Sequence, residues 1–306
     1  MNFFKVLDKL KSKKMAMIIY CLLDRIPIFV LGKDSNIIDE FLIELSELAH
    51  FRKEIVFFTD FISKNEYLYL IQNEDIDYNS QRVQIRCPSS VALKAINQIE
   101  SFKSWLIGMV IFNYDNDIIN IKNLIKEKAK RFLCIIISSN PISVEMEGMN
   151  VKSVDLTLEL NILQKIFLDT EKSIAQMKRI LTDKIKSNNF DEELIKTLLD
   201  FEIEKEELKK NIFKKEIQDF YYASKRAFFI LSKFYLLNNL NVHTKIGSKT
   251  LLKTIDYNYL PSDGIISAPI DRMMSFINKE WGEDFSNLIE NGKKVGVEDK
   301  IQSLWG

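Results

Sequence analysis

A glycine and a lysine set between an apolar run and an amphipathic helical pattern can hold a phosphate, the glycine by bringing backbone amides close and the lysine through its ammonium. Gly32 and Lys33 stand this way in RIPIFVLGKDSNIIDEF, residues 25–41. A complete phosphate loop reads Gly-x4-Gly-Lys-Ser/Thr, where the first glycine lets the chain wrap the phosphates and the hydroxyl binds magnesium. Pro27 occupies the first glycine position, with a fixed φ and no amide proton to offer. Ile28, Phe29, Val30 and Leu31 are bulky and read as the strand itself, so the wide loop is missing. Asp34 stands where the magnesium-binding hydroxyl belongs, and Ser35 replaces it only after a slip of one position. The expectation is a tight strand-to-helix turn in which Asp34, Ser35 and Asn36 cap a helix over 36–49. The free amides and positive dipole end of that helix leave weak anion binding by Gly32, Lys33 and Ser35 as the second reading.

Other chemistry has thinner support. His50 and His243 have no cysteine or carboxylate at metal-ligand spacing, so no metal is expected, and His50 suits a helix C-terminus. There is no Gly-x-Ser-x-Gly elbow. Cys21, Cys87 and Cys134 are odd in number, far apart and set in apolar runs, which reads as buried free thiols in a reducing, cytoplasmic setting. The carboxylates of EDIDY, 74–78, read as a solvated loop, with a cation site as the other reading. The mixed charges of EIEKEELKKNIFKKE, 202–216, read as a solvated helix face with Glu206 four residues before Lys210. FYYASKRAFFILSKFYLL, 220–237, carries apolar residues on nearly every face, as in a helix buried all round. Core packing explains it. A subunit interface through Tyr221, Tyr222, Phe228, Phe229, Phe234 and Tyr235 is the competing reading, and nucleic-acid contact by Lys225, Arg226 and Lys233 a third.

The elements that must position these residues can be read from length and pattern. The chain has 306 residues, 46% apolar and 28% charged, with no net charge, so no whole-molecule field draws in nucleic acid or an anionic membrane. KLKSKKMAMIIYCLL imitates a secretory signal, but Asp24 and Arg25 stand where small cleavage-site residues belong. Residues 2–23 are instead expected as an amphipathic helix, with Phe4, Leu7, Leu10, Met15, Ile18 and Leu22 near one stripe, docked on the first domain or touching a membrane surface. Short β-branched runs at 27–32, 54–61, 82–87, 105–114, 132–139 and 154–160 alternate with helical patterns at 36–49, 64–73, 89–103 and 117–130. That rhythm predicts an α/β domain over 26–160 with a mostly parallel sheet. From 161 to 306 the pattern is helical: two long helices joined at KSNNF, then shorter ones near 247–255, 269–280 and 283–291, with 258–269 as a loop.

In order and character these segments resemble the RecA/KaiC-like branch of the P-loop ATPases over residues 20–160. FVLGKDS resembles the first strand, EIVFFTDF the second with its acidic end, IGMVIFNYD the Walker B strand, LCIIISSNP the next, and VKSVDLTLEL the late strand with an aspartate before alternating apolar residues. The resemblance implies magnesium and water activation by an acid ending the Walker B strand and a carboxylate near the second. Asn113 stands at the first of these positions with Asp115 two residues on, and Asp60 ends the second. A domain without its phosphate loop followed by helices also resembles non-hydrolysing clamp-loader subunits. The resemblance therefore implies an ATPase-like pseudoenzyme: a scaffold or regulatory subunit without cofactor, assembling with a protein partner or with itself. A nucleic-acid-associated subunit and an unorthodox hydrolase using Lys33 and Asp60 are the alternatives.

Overall fold

The computed structural model describes residues 6, 9–72, 83–112, 114–139, 141–150, 154–186, 202–257 and 267–290. EDIDY, Asn113, the KSNNF joint and most of the 258–269 loop lie outside them. The sheet consists of β1 (Ile28–Gly32), β2 (Lys53–Val56), β3 (Val83–Cys87), β4 (Trp105–Val110), β5 (Phe132–Ile136) and β6 (Ser143–Glu147), in the order β2-β3-β4-β1-β5-β6. β1 to β5 are parallel, and β6 pairs antiparallel with β5.

Both faces of the sheet are buried, because every central strand is apolar on successive residues. Ile28 and Val30 of β1 join one core, and Phe29 and Leu31 the other. The first core holds α1 (Ser12–Leu23) and α2 (Ser35–Glu47); the second holds α4 (Ala92–Ile96) and residues of α5 (Tyr114–Lys128), with α3 (Lys64–Gln72) packed on it. Glycine makes the α2 contact possible, since a Cβ on Gly108 of β4 would stand 2.7 Å from Ile38 and 2.9 Å from Leu42. The chain thus leaves β1 toward one face and β2, β3 and β4 toward the other. The direction of winding reverses between β1 and β4, and the carboxyl ends of those strands are where such a sheet places a crevice.

The helical region covers the first face. α6 (Thr157–Lys186) and α7 (Glu202–Asn239) run side by side, tied by Lys165 to Glu216 at 2.7 Å and Lys205 to Glu171 at 2.8 Å. α8 (Ser248–Thr254) and α9 (Ser267–Trp281) complete it, with a two-stranded parallel pair, β7 (Ile246–Gly247) and β8 (Ile289–Glu290). Ile162, Ile217, Phe220 and Phe276 belong to the same core as Ile28 and Ile135. Among the described residues no helix is long and apolar enough to cross a membrane.

Several expectations are corrected. The strand expected at 154–160 is the start of α6: Asp155, two residues before the helix, accepts from the Thr157 amide at 2.9 Å, and that bond turns the alternation into helix. The helix expected at 283–291 is a short turn, Ser286–Leu288, leading into β8, after Asp284 accepts from the Ser286 amide at 3.0 Å. The helix over 89–103 is present only as α4 between two short turns. The solvated face of 202–216 is partly engaged, because Lys210 and Lys214 reach Glu47 of α2 at 3.2 and 2.6 Å.

A buried ionic network fastens the layers together below the sheet. Arg272 of α9 lies 2.8 Å from Asp24 and 2.8 Å from Glu159, and Lys279 also reaches Asp24. Glu280 takes Arg25 and Arg52, each at 2.9 Å. Arg52 also donates to the Leu22 and Leu23 carbonyls at the end of α1, at 2.6 and 2.8 Å.

Candidate functional site

The crevice at the carboxyl ends of the parallel strands is where an open α/β sheet offers amides to a ligand. Here the chain's own carboxylates occupy them. After β1, the Asp34 side chain accepts from the amides of Asn36 at 2.8 Å and Ile37 at 3.4 Å, the first turn of α2. After β2, Asp60 accepts from the Val56 amide at 2.7 Å. After β3, Asp39 of α2 accepts from the Ser89 amide at 2.9 Å and its hydroxyl at 3.3 Å. After β4, Asp117 of α5 accepts from the Phe112 amide at 2.9 Å.

The candidates from the sequence fall at several places along this edge. Gly32 ends β1, and a Cβ there would stand 2.9 Å from Ile137 and 3.0 Å from Ile38. This glycine lets apolar side chains close over the strand, which is the opposite of opening a cradle. Lys33 is exposed, and no described residue pairs with it. Ser35 is the first residue of α2, exposed and not its cap; the cap is Asp34. Asp60 is tied into a tight turn in which Phe58 has φ 73° and donates to the Phe61 carbonyl at 2.8 Å. That turn fixes the carboxylate against backbone and leaves less of it for water. Asp115 lies in the first turn of α5, and its side chain is outside the described residues. The structure therefore brings Gly32, Lys33 and Ser35 together at one turn and sets Asp60 away from them along the same edge, after β2.

Asp39 and Asp117 are not evident from sequence, although an acid a few residues into the helix after a strand is a usable signal for Asp117. Asp39 has none, because its partner Ser89 is distant in the chain. Exposed apolar side chains flank this edge, among them Phe58, Leu93 and Phe112, with the Lys94 ammonium 4.1 Å from the Phe58 ring.

The aromatic segment of α7 divides in two, correcting the expectation of a helix buried all round. Tyr221 is buried, stacked on Phe51 at 4.2 Å, and Phe228 stacks on Trp281 at 5.1 Å. Phe234 packs half-buried on the core. Tyr222, Phe229 and Tyr235 are exposed, Phe229 by 54%. With Leu236 they form a stripe in which Tyr222, Phe229 and Leu236 recur every seventh residue, and Lys225 lies 6.0 Å from the Phe229 ring.

Cys21, Cys87 and Cys134 are free and buried. Burial pushes the Cys87 and Cys134 thiols up to about 12 and Cys21 well above the ordinary range, so none is a nucleophile at neutral pH. His50 and His243 are exposed. Comparison with protein-family models, with curated proteins and with solved structures finds no match to the chain.

Proposed function

We propose that this protein is a non-catalytic scaffold or regulatory subunit: an ATPase-like, RecA-like sheet that has given up its phosphate loop and acts through protein assembly. One observation carries the reading. At the ends of β1, β2, β3 and β4 the backbone amides are held by Asp34, Asp60, Asp39 and Asp117. A polyphosphate entering there would have to displace carboxylates and then meet their charge. The ATPase-like ancestry has its own support. Magnesium in such a domain is shared between the loop after the first strand and the Walker B strand. β1 and the strand read as Walker B, β4, pair in parallel from Ile28 with Leu106 to Gly32 with Val110, which sets their carboxyl ends side by side. The exposed stripe of Tyr222, Phe229, Tyr235 and Leu236 on α7 offers the assembly surface, for a protein partner or a second copy.

An unorthodox hydrolase is less well supported, because Asp60 is spent on its own turn. The test is the melting temperature with and without millimolar Mg-ATP. No change is expected. A rise of several degrees that disappears in Lys33→Ala overturns the reading.

A further inference from the structure

At the opposite end of the sheet, where the parallel strands begin, lies a cleft of about 590 Å³. Asp24, Arg25 and Pro27 ahead of β1, Lys103 ahead of β4, Arg131 ahead of β5, and Lys279 and Glu280 on the last turn of α9 line it, four cations against two carboxylates. The volume lies within the range of small-ligand pockets. Four cations arriving from four separate stretches of chain are not the by-product of one local motif.

The charge in and behind these walls does not balance. Behind the walls the buried Arg25, Arg52 and Arg272 are matched by Asp24, Glu159 and Glu280, and the exposed Lys279 adds a further cation beside Asp24. Arg52 also donates to the Leu22 and Leu23 carbonyls. Lys103 and Arg131 then add two exposed cations, for which no described residue is a partner. Exposed positive charge gathered along one cleft attracts an anion to it.

Two further features point the same way. Arg25 has φ 57° and follows α1, where the Ile26 amide closes back on the Cys21 carbonyl at 2.9 Å. That is the left-handed position after a helix where glycine is usual and a long side chain is strained. Keeping arginine there holds a guanidinium at the cleft wall. Burial lowers its pKa, Glu280 only partly offsets this, and Arg52 lowers it further, as expected where negative charge is short. Glu280, for its part, spends Oε2 on the two arginines, while Oε1 is buried with no hydrogen-bond donor. A ligand that suits both would be anionic at one end and carry a hydroxyl or amino donor at the other.

We propose that this cleft binds a small phosphomonoester of nucleoside size, with Lys103 and Arg131 on the phosphate, Arg25 and Lys279 behind it, and a donor group of the ligand turned to Glu280. A phosphomonoester carries nearly two negative charges at neutral pH, which matches the excess better than one carboxylate does. Arginine adds a planar fork suited to phosphate oxygens. The site is independent of Lys33, which lies at the other end of β1.

Calorimetric titration of the full chain with AMP tests this, with adenosine and inorganic phosphate in parallel. AMP binds, phosphate binds more weakly, and adenosine does not bind. The double variant Lys103→Ala, Arg131→Ala, altered only at exposed residues, retains its circular dichroism and loses affinity by roughly tenfold per cation removed. Lys33→Ala binds AMP as the parent does. Absence of AMP binding, equal affinity in the double variant, or adenosine binding as tightly as AMP overturns the assignment. A Mg-ATP response abolished by the double variant but kept in Lys33→Ala belongs to this cleft and leaves the scaffold reading intact.

Discussion

Glu280 sets one carboxylate against two guanidinium groups, and that geometry sets how it answers to acid. Burial alone would raise its pKa, but Arg52 and Arg25 overcome burial and hold it below the usual carboxylate range. Its contribution to stability is therefore complete above the unfolded value near ~4.3 and is lost as pH falls through the lower, folded value. Glu159 behaves in the opposite sense: burial outweighs Arg272 and raises its pKa, so its contribution is complete below the unfolded value and is lost as pH rises through the folded one. Urea unfolding across the acid range checks both signs. In Glu280→Gln the fall in stability toward low pH becomes shallower, and in Glu159→Gln it becomes steeper. At neutral pH, Glu280→Gln costs about 3–5 kcal/mol, because Arg25 and Arg52 then stay buried without a counter-charge. The thiols answer a simpler question. With Cys87 and Cys134 pushed up to about 12 by burial, iodoacetamide leaves the folded protein unlabelled at neutral pH and labels all three cysteines in denaturant, as mass spectrometry will read.

Among the elements, α2 is the one that decides what the carboxyl edge of the sheet can do. It is seated by the missing side chain of Gly108, and Gly108→Ala, with its Cβ 2.7 Å from Ile38, costs about 1–3 kcal/mol by overpacking. Asp34→Ala removes its cap and costs about 1 kcal/mol in chemical denaturation. The cap was legible in the sequence because an aspartate directly before an amphipathic pattern needs no distant partner. The central strands were legible for a related reason: burial on both faces leaves Ile28–Leu31 and Phe132–Ile136 as unbroken apolar runs. β6 was not, since SVEME has only valine and methionine to mark its covered side. Asp155, Leu156, Thr157 and Leu158 fit both a two-residue and a helical period, and the hydrogen bond from Thr157 to Asp155 decides between them. The ionic network was illegible altogether. Asp24 and Arg25 meet α9 across nearly the whole chain, and no periodicity announces a pairing at that distance.

At the scale of the molecule, one core runs from α1 through β1 and β5 into α6, α7 and α9. Calorimetry is expected to show a single unfolding transition, and two resolved transitions would separate the helical region from the sheet. The sheet order adds a requirement of timing. β1 is made before the other strands of its sheet, yet its hydrogen-bonding neighbours are β4 and β5, which are among the last of the sheet to be made. Until residue 136 has emerged, Ile28 to Leu31 lack their full set of pairing strands, and a nascent chain carries that greasy segment exposed. Such a segment is open to aggregation while the chain grows, whatever the stability of the finished fold.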